Sequence, residues 1–218
     1  MSIKGIIFDL DGVVTQTATI HLQAWKIILD EFLFLIGEKT VFYESDYFLY
    51  LDGIPRDEGL LNFLNAQNIS DKTRYAFNIT RIEIVEKLGT SKNQLFGKLF
   101  LKETDIYFPD TLTFIRFISE CGYKIALISS SKNCIPVLKQ AKIDHLFPVY
   151  VDGIMAEQLH IPGKPEPDIF LEAANRLNCY RKSVWLLKML WQGSLRLKVE
   201  IFLVLLRWTE KINNRLSF

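Results

Sequence analysis

Phe8-Asp9-Leu10-Asp11-Gly12 is the stretch of sequence that decides the fold. It closes a short apolar run that begins at Ile3 and ends in a glycine turn signal. An apolar run of this length, bounded by a turn, is typical of a buried strand in a parallel sheet. Ligands of open α/β sheets bind beyond the carboxyl ends of the strands, and side chains at i and i+2 point the same way. We therefore expect Asp9 and Asp11 to face one ligand site.

Two carboxylates at one site indicate a cation between them, because neighbouring like charges disfavour ionisation. Mg²⁺ is the natural candidate, since it takes oxygen ligands and keeps water positions for a substrate phosphate. A carboxylate such as that of Asp9 can also attack phosphorus and form an aspartyl-phosphate. The alternative for this motif alone is a solvated Asp-x-Asp-Gly turn without chemistry.

The composition favours a globular cytoplasmic protein. The chain has 218 residues, of which 49% are hydrophobic, and a net charge of +1, so neither nucleic acid nor an anionic membrane is indicated as a partner. The three cysteines have no CxxC spacing, which fits a reducing compartment and predicts no zinc site. We recognise no signal peptide and no apolar stretch long enough to span a membrane. The sequence indicates no oligomeric state.

Between the first strand and the rest of the α/β pattern lies a long segment with helical periodicity. We predict an α/β core made of residues 1–16 and 101–218, with a helical insert at residues 17–100. Within the insert the apolar spacing is typical of amphipathic helices. These helical patterns cover His21–Phe32, Glu58–Gln67, Lys72–Lys87 and Lys92–Phe100.

After the insert, strands and helices alternate. This alternation predicts a doubly wound parallel sheet with right-handed crossovers. The predicted elements are a helix at Thr111–Cys121, a strand at Tyr123–Ile128, a helix at Cys134–Ala141, a strand at Pro148–Val151 and a helix at Asp168–Leu177.

Two further polar residues suit a phosphate site. Ser129 follows the second strand, where its hydroxyl and the adjacent backbone N–H groups can donate to phosphate oxygens. The ammonium of Lys164, in a proline-rich loop, can neutralise developing negative charge. Taken separately, Ser129 can be an ordinary turn residue and Lys164 a surface lysine; together with the aspartates they indicate phosphate chemistry.

In these motifs the chain resembles the haloacid dehalogenase superfamily, and within it the β-phosphoglucomutase-like branch. Asp9-Leu10-Asp11-Gly12-Val13 is similar to the first family motif, Ile125–Asn133 to the second and Gly163–Asp168 to the third. The resemblance implies that Asp9 is the nucleophile and Asp11 the general acid/base, and that both help to hold Mg²⁺. It implies that Ser129 is a phosphate ligand and Lys164 the charge-stabilising lysine. It also implies substrate contacts from the rest of the second motif, namely Ser130, Ser131, Lys132 and Asn133.

The helical insert resembles the mobile cap of the same branch. Thr17, His21 and Trp25 stand where that branch has its hinge and first cap helix. The segment Gly53-Ile54-Pro55-Arg56 is similar to its substrate loop, which implies that Gly53 and Arg56 contact the substrate; the guanidinium fork suits a second phosphate or a sugar. Lys92 matches a further cap contact. The alternative for His21 and Trp25 is packing in the core of the cap.

The resemblance ends near Val184, where the fourth family motif should follow. That motif is an acidic pair that supplies the remaining Mg²⁺ ligand. Here the next residues are Trp185-Leu186-Leu187-Lys188-Met189, and no aspartate occurs after Asp168. Three of the chain's four tryptophans lie in this tail. A cationic, Trp-rich tail in place of an acidic site is a conflict between the local sequence and the predicted fold.

The codons of this tail suggest a frameshift as the cause. Read from each third base, the junction of Lys188 and Met189 yields only aspartate or asparagine, and that of Trp191 and Gln192 yields only alanine. The shifted reading is compatible with Val-Val-Glu-Asp-Ala-x-Ala-Gly, the missing motif. We therefore hypothesise a chain that is out of frame after about Val184; the alternative is a naturally divergent C-terminus.

The sequence thus predicts Mg²⁺-dependent phosphoryl transfer on a sugar phosphate, by a mutase or a phosphatase, impaired here by loss of the fourth motif. An alternative is an inactive remnant or a phosphosugar-binding pseudoenzyme. A signalling receiver domain also uses Asp, Ser/Thr and Lys around Mg²⁺, but a large insert directly after the first strand argues against it.

Overall fold

The computed structural model describes residues 3–69, 79–104, 106–164, 166–179, 184–190 and 198–202. The chain divides into two compact units, a core unit of residues 1–16 and 106–218 and a cap unit of residues 17–105. None of the helices in the described ranges has the length and apolarity needed to cross a bilayer.

The core unit is built on a five-stranded sheet with the order β3-β2-β1-β4-β5. Its strands are β1 (Gly5–Asp9), β2 (Lys124–Ile128), β3 (Val149–Val151), β4 (Val184–Leu190) and β5 (Lys198–Phe202). β1 is buried along its whole length and pairs in parallel with both β2 and β4, so it is the central strand. The apolar run that precedes Asp9 therefore forms the strand buried on both faces that its composition predicted.

Helices cover both faces of this sheet. The helices of the core unit are α5 (Pro109–Glu120), α6 (Cys134–Gln140), α7 (Gly153–Gln158) and α8 (Asp168–Arg176). Ile7 packs in one apolar cluster with Ile169 and Phe170 of α8, whereas Phe8 meets Phe114 of α5 edge to face. Because successive side chains of a strand point to opposite faces, α8 and α5 cover opposite sides of β1. The predicted doubly wound α/β fold is confirmed.

The cap unit is helical in its described part. Its elements are α1 (Ala18–Leu35), a short turn of helix α2 (Glu44–Asp46), a π-helical segment (Tyr47–Leu51), α3 (Arg56–Ala66) and α4 (Arg81–Phe100). Both α1 and α3 pack against α4. Trp25, Leu29, Phe63 and Ile84 belong to one buried cluster, so the unit has a hydrophobic core of its own.

The structure extends the insert beyond the predicted end at residue 100. The N–H groups of Leu101, Lys102 and Glu103 donate to carbonyls of the last turn of α4, which ties this segment to the cap unit. The chain rejoins the core unit at Ile106, whose carbonyl accepts from the N–H of Gln16. The boundary follows the hydrogen bonds of the helix end, which the apolar pattern does not report.

Three elements differ from the prediction. α4 is one continuous helix, whereas the sequence predicted two helices, at Lys72–Lys87 and Lys92–Phe100. Residues 72–78 of the first of these two helices lie outside the described residues. α7 was not predicted. β5 pairs antiparallel with β4, because the connecting residues 191–197 are fewer than the roughly twelve that a parallel crossover needs. The residues that follow the end of the family resemblance form a strand, β4, which pairs with β1.

Candidate active site

Asp9, the last residue of β1, forms a buried ion pair with Lys164. The ammonium Nζ lies 2.8 Å from Oδ2 and 3.0 Å from Oδ1 of the carboxylate. Asp9 is 7% exposed and Lys164 is 4% exposed. The backbone N–H of Leu10 donates a further hydrogen bond of 3.0 Å to Oδ1. The loop before α8 therefore places a cation at the end of the central strand.

Asp11 and Ser129 form a second contact at the same edge of the sheet. The Ser129 hydroxyl donates to Oδ2 of Asp11 over 3.3 Å, and the serine is fully buried. Asp9 pairs in register with Ile128, so the residues that follow β1 and β2 leave the sheet side by side. The four side chains predicted as catalytic thus lie together at the carboxyl edge.

The topology explains why this edge is suited to a ligand. The strand order reverses on the two sides of β1, since β2 and β3 follow in one direction and β4 lies in the other. Ligands of open α/β sheets bind outside the carboxyl ends at such a switch point. Asp9 ends the strand at this switch.

The loop after β2 has its own hydrogen-bond frame. The N–H of Ser129 donates to the carbonyl of Val151 on β3, and the N–H of Ser131 donates to the Ser129 hydroxyl over 3.0 Å. The hydroxyl of Ser131 accepts from the N–H of Asn133 over 3.1 Å. We call residues 129–133 the serine loop. Its backbone is held at both ends, which is the pre-organisation that an oxyanion cradle requires.

The remaining residues of the serine loop are partly exposed. Ser130 and Asn133 lie in the same half-buried stretch. Lys132 forms an ion pair of 2.8 Å with Glu157 of α7, whose carboxylate is largely exposed. Lys132 is therefore engaged at the protein surface, apart from the buried pair at Asp9.

Gly153, absent from the sequence-based site, sets how closely the backbone after β3 approaches the serine loop. A Cβ at Gly153 would lie 2.5 Å from the carbonyl oxygen of Ser130 and 3.0 Å from the carbonyl carbon of Ser131. Asp152 precedes it, buried, and accepts from the N–H of Met155 to cap α7. The sequence signal for Gly153 was the Asp-Gly pair after β3, but such pairs are also typical of ordinary turns.

Gly153→Ala is expected to weaken inorganic phosphate binding about tenfold, because the new methyl group pushes the serine loop away from its cradle geometry. Overpacking should also cost about 1–3 kcal/mol of unfolding free energy. The matched control is Gly59→Ala, whose Cβ would lie 2.7 Å from the Tyr50 carbonyl in the cap unit. Titration calorimetry with phosphate should show a loss for Gly153→Ala alone; equal affinity in both variants contradicts the role of Gly153.

The predicted cap contacts include a buried lysine. Nζ of Lys92 lies 2.6 Å from Nδ1 of His21 and over the rings of Trp25 and Phe96, at 5.3 and 5.2 Å from their centroids. His21 stacks on Phe96 with 4.2 Å between ring centroids. Thr17, at the start of α1, is fully buried and its carbonyl accepts from the N–H of His21. Trp25 is also a member of the cap core, so it packs as the alternative interpretation expected.

Arg56 and Gly53 flank the start of α3. Arg56 is the first residue of α3, and its Nε donates to Oδ1 of Asp57 over 2.6 Å. Gly53 adopts a positive φ of 70° with nothing within 4 Å of its missing Cβ, so it forms an open turn. The structure places Arg56, Gly53, Lys92, His21, Trp25 and Thr17 in the cap unit.

Cys134 lies beside the aspartates, in surroundings that disfavour its reactive thiolate form. Burial raises the pKa of its thiol well above the ordinary value, and the negative charges of Asp152, Asp11 and Asp9 add to this. A raised pKa lowers the thiolate fraction at any given pH, and the thiolate is the reactive form.

We expect iodoacetamide at pH 8 to label exposed Cys121 and to spare Cys134 in the native protein. Mass mapping of labelled peptides checks this, with Cys121→Ser as control; labelling of Cys134 at the rate of Cys121 contradicts it.

The residues present fit a magnesium ion only in part. Asp9 and Asp11 offer two carboxylates, but no group of three His, Cys, Asp or Glu side chains able to hold a metal occurs among the described residues. Both oxygens of Asp9 are already in contact with Lys164. Leu187 of β4 pairs with Phe8, so Lys188 stands level with Asp9 in the sheet. A lysine therefore occupies the register position beside the nucleophile candidate.

A family profile described as haloacid dehalogenase-like hydrolase matches residues 3–186. The chain is 34% identical over 181 residues to a β-phosphoglucomutase of Mycobacterium bovis, covering 80% of this chain and 69% of the relative. It is 25% identical over 183 residues to a phosphorylated carbohydrates phosphatase of Thermotoga maritima, covering 83% and 74%.

Among solved structures, the chain is similar to a β-phosphoglucomutase of Clostridium difficile. The TM-score is 0.67 and the identity 29%, over 84% of this chain and 74% of that one. The profile covers the segment in which the first three motifs were recognised and ends two residues after Val184. From its sequence, its sheet and its relatives, the chain belongs to the haloacid dehalogenase-like hydrolases, an enzyme family here represented by phosphatases and β-phosphoglucomutases.

Proposed function

We propose that the core unit is a phosphoryl-transfer site for sugar phosphates and that turnover proceeds through an aspartyl-phosphate at Asp9. The observation that carries the proposal is the buried Asp9–Lys164 pair next to the Asp11–Ser129 contact. Two carboxylates, one ammonium and one hydroxyl converge there at the switch point of the sheet. A phosphoryl group needs these partners, because its transfer depends on positioning and on charge stabilisation.

The bonds made and broken assign a role to each side chain. A carboxylate oxygen of Asp9 attacks phosphorus, and the ester bond between phosphorus and the sugar oxygen breaks. The departing sugar oxygen takes a proton from the carboxyl group of Asp11. Lys164 offsets the negative charge on the phosphoryl oxygens, and the Ser129 hydroxyl turns from Asp11 to donate a hydrogen bond to one of them. In a phosphatase, water then attacks the phosphorus of the aspartyl-phosphate, the bond between phosphorus and the Asp9 oxygen breaks, and the Asp11 carboxylate takes the proton of the water. In a mutase, a second sugar hydroxyl attacks in place of water and gives its proton to Asp11.

The proposed cofactor is Mg²⁺, with Asp9 and Asp11 as two of its ligands. When bound, the ion neutralises charge on the phosphoryl oxygens. Among the described residues no third side chain joins them in a group able to hold a metal, and Lys188 stands level with Asp9. The fourth-motif acid is therefore the missing part of the site, and its loss is our reason for proposing impaired turnover in this chain.

The proposed frameshift has its support in the sequence. The family profile ends at residue 186, and the match covers 69% of the mycobacterial relative's length. The tail contains no aspartate, although the shifted reading of its codons is compatible with the acidic motif. We propose that the in-frame protein is the active enzyme and that this chain retains the site without its last metal ligand.

The cap unit is proposed to recognise the sugar phosphate. Arg56 and Lys92 supply cations, while His21, Trp25, Thr17 and Gly53 complete the contacts implied by the family resemblance. The relatives named β-phosphoglucomutase and phosphorylated carbohydrates phosphatase support a phosphosugar as the substrate class. Neither nucleic acid nor a membrane is proposed as a partner, and the proposed location is the cytoplasm.

An assay with β-glucose 1-phosphate and Mg²⁺ tests the proposal and separates its two forms. Formation of glucose 6-phosphate identifies a mutase, and release of inorganic phosphate identifies a phosphatase. Asp9→Asn is the control, because it removes the nucleophile and keeps the shape of the side chain. Activity that persists in Asp9→Asn contradicts the aspartyl-phosphate.

A second candidate is a phosphosugar-binding protein without turnover. It is favoured by the incomplete metal site among the described residues. Calorimetric binding of β-glucose 1-phosphate, with neither isomerisation nor phosphate release in this chain or its in-frame form, supports this candidate over the enzyme.

A further inference from the structure

Gly89 is an unexpected residue at its position in α4. It lies in the interior of a helix that runs from Arg81 to Phe100, and it is buried on the same face as Lys92 and Phe96. Glycine inside a helix is less favourable than alanine, because it loses more backbone conformational freedom on folding. A glycine at a buried position inside a helix therefore suggests that a neighbouring group needs the space that a side chain would fill.

The side chain of Arg56 occupies the space that a larger residue would need. A Cβ at Gly89 would lie 2.6 Å from Nε of Arg56, 2.8 Å from its Cζ and 3.1 Å from its Cδ. The Arg56 side chain is 17% exposed. The guanidinium therefore lies directly against the bare backbone of α4.

Asp57 fixes this arrangement from the other side. Its Oδ1 accepts from Nε of Arg56 over 2.6 Å. Nε is thereby engaged, while the two terminal amino groups have no hydrogen-bond partner within the part of the chain that the structure describes. These two groups form the fork that binds two oxygens of a phosphate or carboxylate at once.

We propose that Gly89 is a positioning residue for substrate specificity, because its missing side chain seats the guanidinium of Arg56 for an anionic group of the substrate. The inference rests on the proposed function, in which the cap unit recognises a phosphosugar. Gly89 touches no substrate itself and acts through Arg56. A methyl group at residue 89 displaces the guanidinium and leaves the cap fold intact.

The reason for an intact fold is the nature of the clash. The atoms nearest the added Cβ belong to the far end of a flexible side chain, which can rotate away at little cost. Alanine also favours the helix over glycine. Gly89→Ala should therefore keep or raise the thermal midpoint while it weakens substrate binding.

The experiment compares Gly89→Ala, Arg56→Ala, the double variant and the control Gly97→Ala. Gly97 lies on the same helix with nothing within 4 Å of its missing Cβ, so it carries the helix-propensity change alone. Calorimetry with β-glucose 1-phosphate should show about tenfold weaker binding for Gly89→Ala and for Arg56→Ala. The double variant should bind no more weakly than Arg56→Ala, since both changes remove one interaction. Gly97→Ala should bind as the parent chain does.

A second readout needs no substrate. The Nε–H cross-peak of Arg56 in a ¹H–¹⁵N spectrum, assigned by its absence in Arg56→Ala, should shift strongly in Gly89→Ala and stay in place in Gly97→Ala. Parent-like affinity in Gly89→Ala, additive losses in the double variant, or an unmoved cross-peak each overturn the inference. If the cross-peak shifts but the parent chain binds no phosphosugar, Gly89 positions the Arg56 guanidinium as inferred. The proposed function is then overturned, and with it the role of Gly89 in substrate specificity.

Discussion

Lys164→Met is expected to lower the free energy of unfolding by about 3–5 kcal/mol. The substitution removes the ammonium that lies 2.8 Å from Oδ2 of Asp9, in a pair whose side chains are 5% and 10% exposed. Asp9 is then left as a buried charge without its counter-ion, and the desolvation of that charge is no longer compensated. Urea denaturation followed by circular dichroism at 222 nm measures the change.

The matched control is Lys132→Met. Lys132 pairs with Glu157 at the same distance of 2.8 Å, but the side chains are 28% and 65% exposed. An exposed pair contributes less than about 1 kcal/mol, so the two methionine variants should differ clearly. Adding Asp9→Asn to Lys164→Met should recover much of the loss, because the unpaired charge is gone. Equal small losses in both single variants contradict a buried, tightly paired Asp9.

Restoring the reading frame after Val184 is expected to raise Mg²⁺-dependent turnover of β-glucose 1-phosphate on the order of 100-fold or more. On the frameshift hypothesis, the restored tail supplies an acidic pair close to residue 188, where the present chain places a lysine level with Asp9. It also replaces the antiparallel edge strand β5 by the tail that belongs to the fold, so a higher thermal midpoint is expected as well. Both proteins are assayed side by side, with and without EDTA.

One substitution in the restored protein separates the metal site from the folding of the tail. Changing the restored aspartate of the acidic pair to alanine should return turnover to the level of the present chain. The thermal midpoint should stay equal to that of the restored protein. Asp9→Asn in the same background should abolish turnover, by on the order of 10⁴-fold. Comparable Mg²⁺-dependent activity in the present and the restored chains would falsify the impairment.

Much of the α/β order was predictable from local patterns. β2, β3, α6 and α8 lie within about a residue of their predicted bounds, because buried strands and amphipathic helices each have a characteristic apolar period. The aspartates could also be located, since strand ends carry the ligands of such sheets. The notable failure was α4, where Gly89, Thr90 and Ser91 interrupt the helical pattern without interrupting the helix.

By itself the sequence determined the central strand, the carboxylates at its end and the family to which the motifs point. Only the tertiary structure decided that Lys164 contacts both carboxylate oxygens of Asp9. It also decided that Gly153 packs closely against the serine loop and that Gly89 packs against the guanidinium of Arg56. The physical reason is that periodicity reports which face of an element is buried, whereas these contacts join residues far apart in the chain. Two of these contacts require a glycine, because a Cβ at residue 153 or 89 would clash with a neighbour. That requirement can be recognised only once the neighbouring residue has been located in the structure.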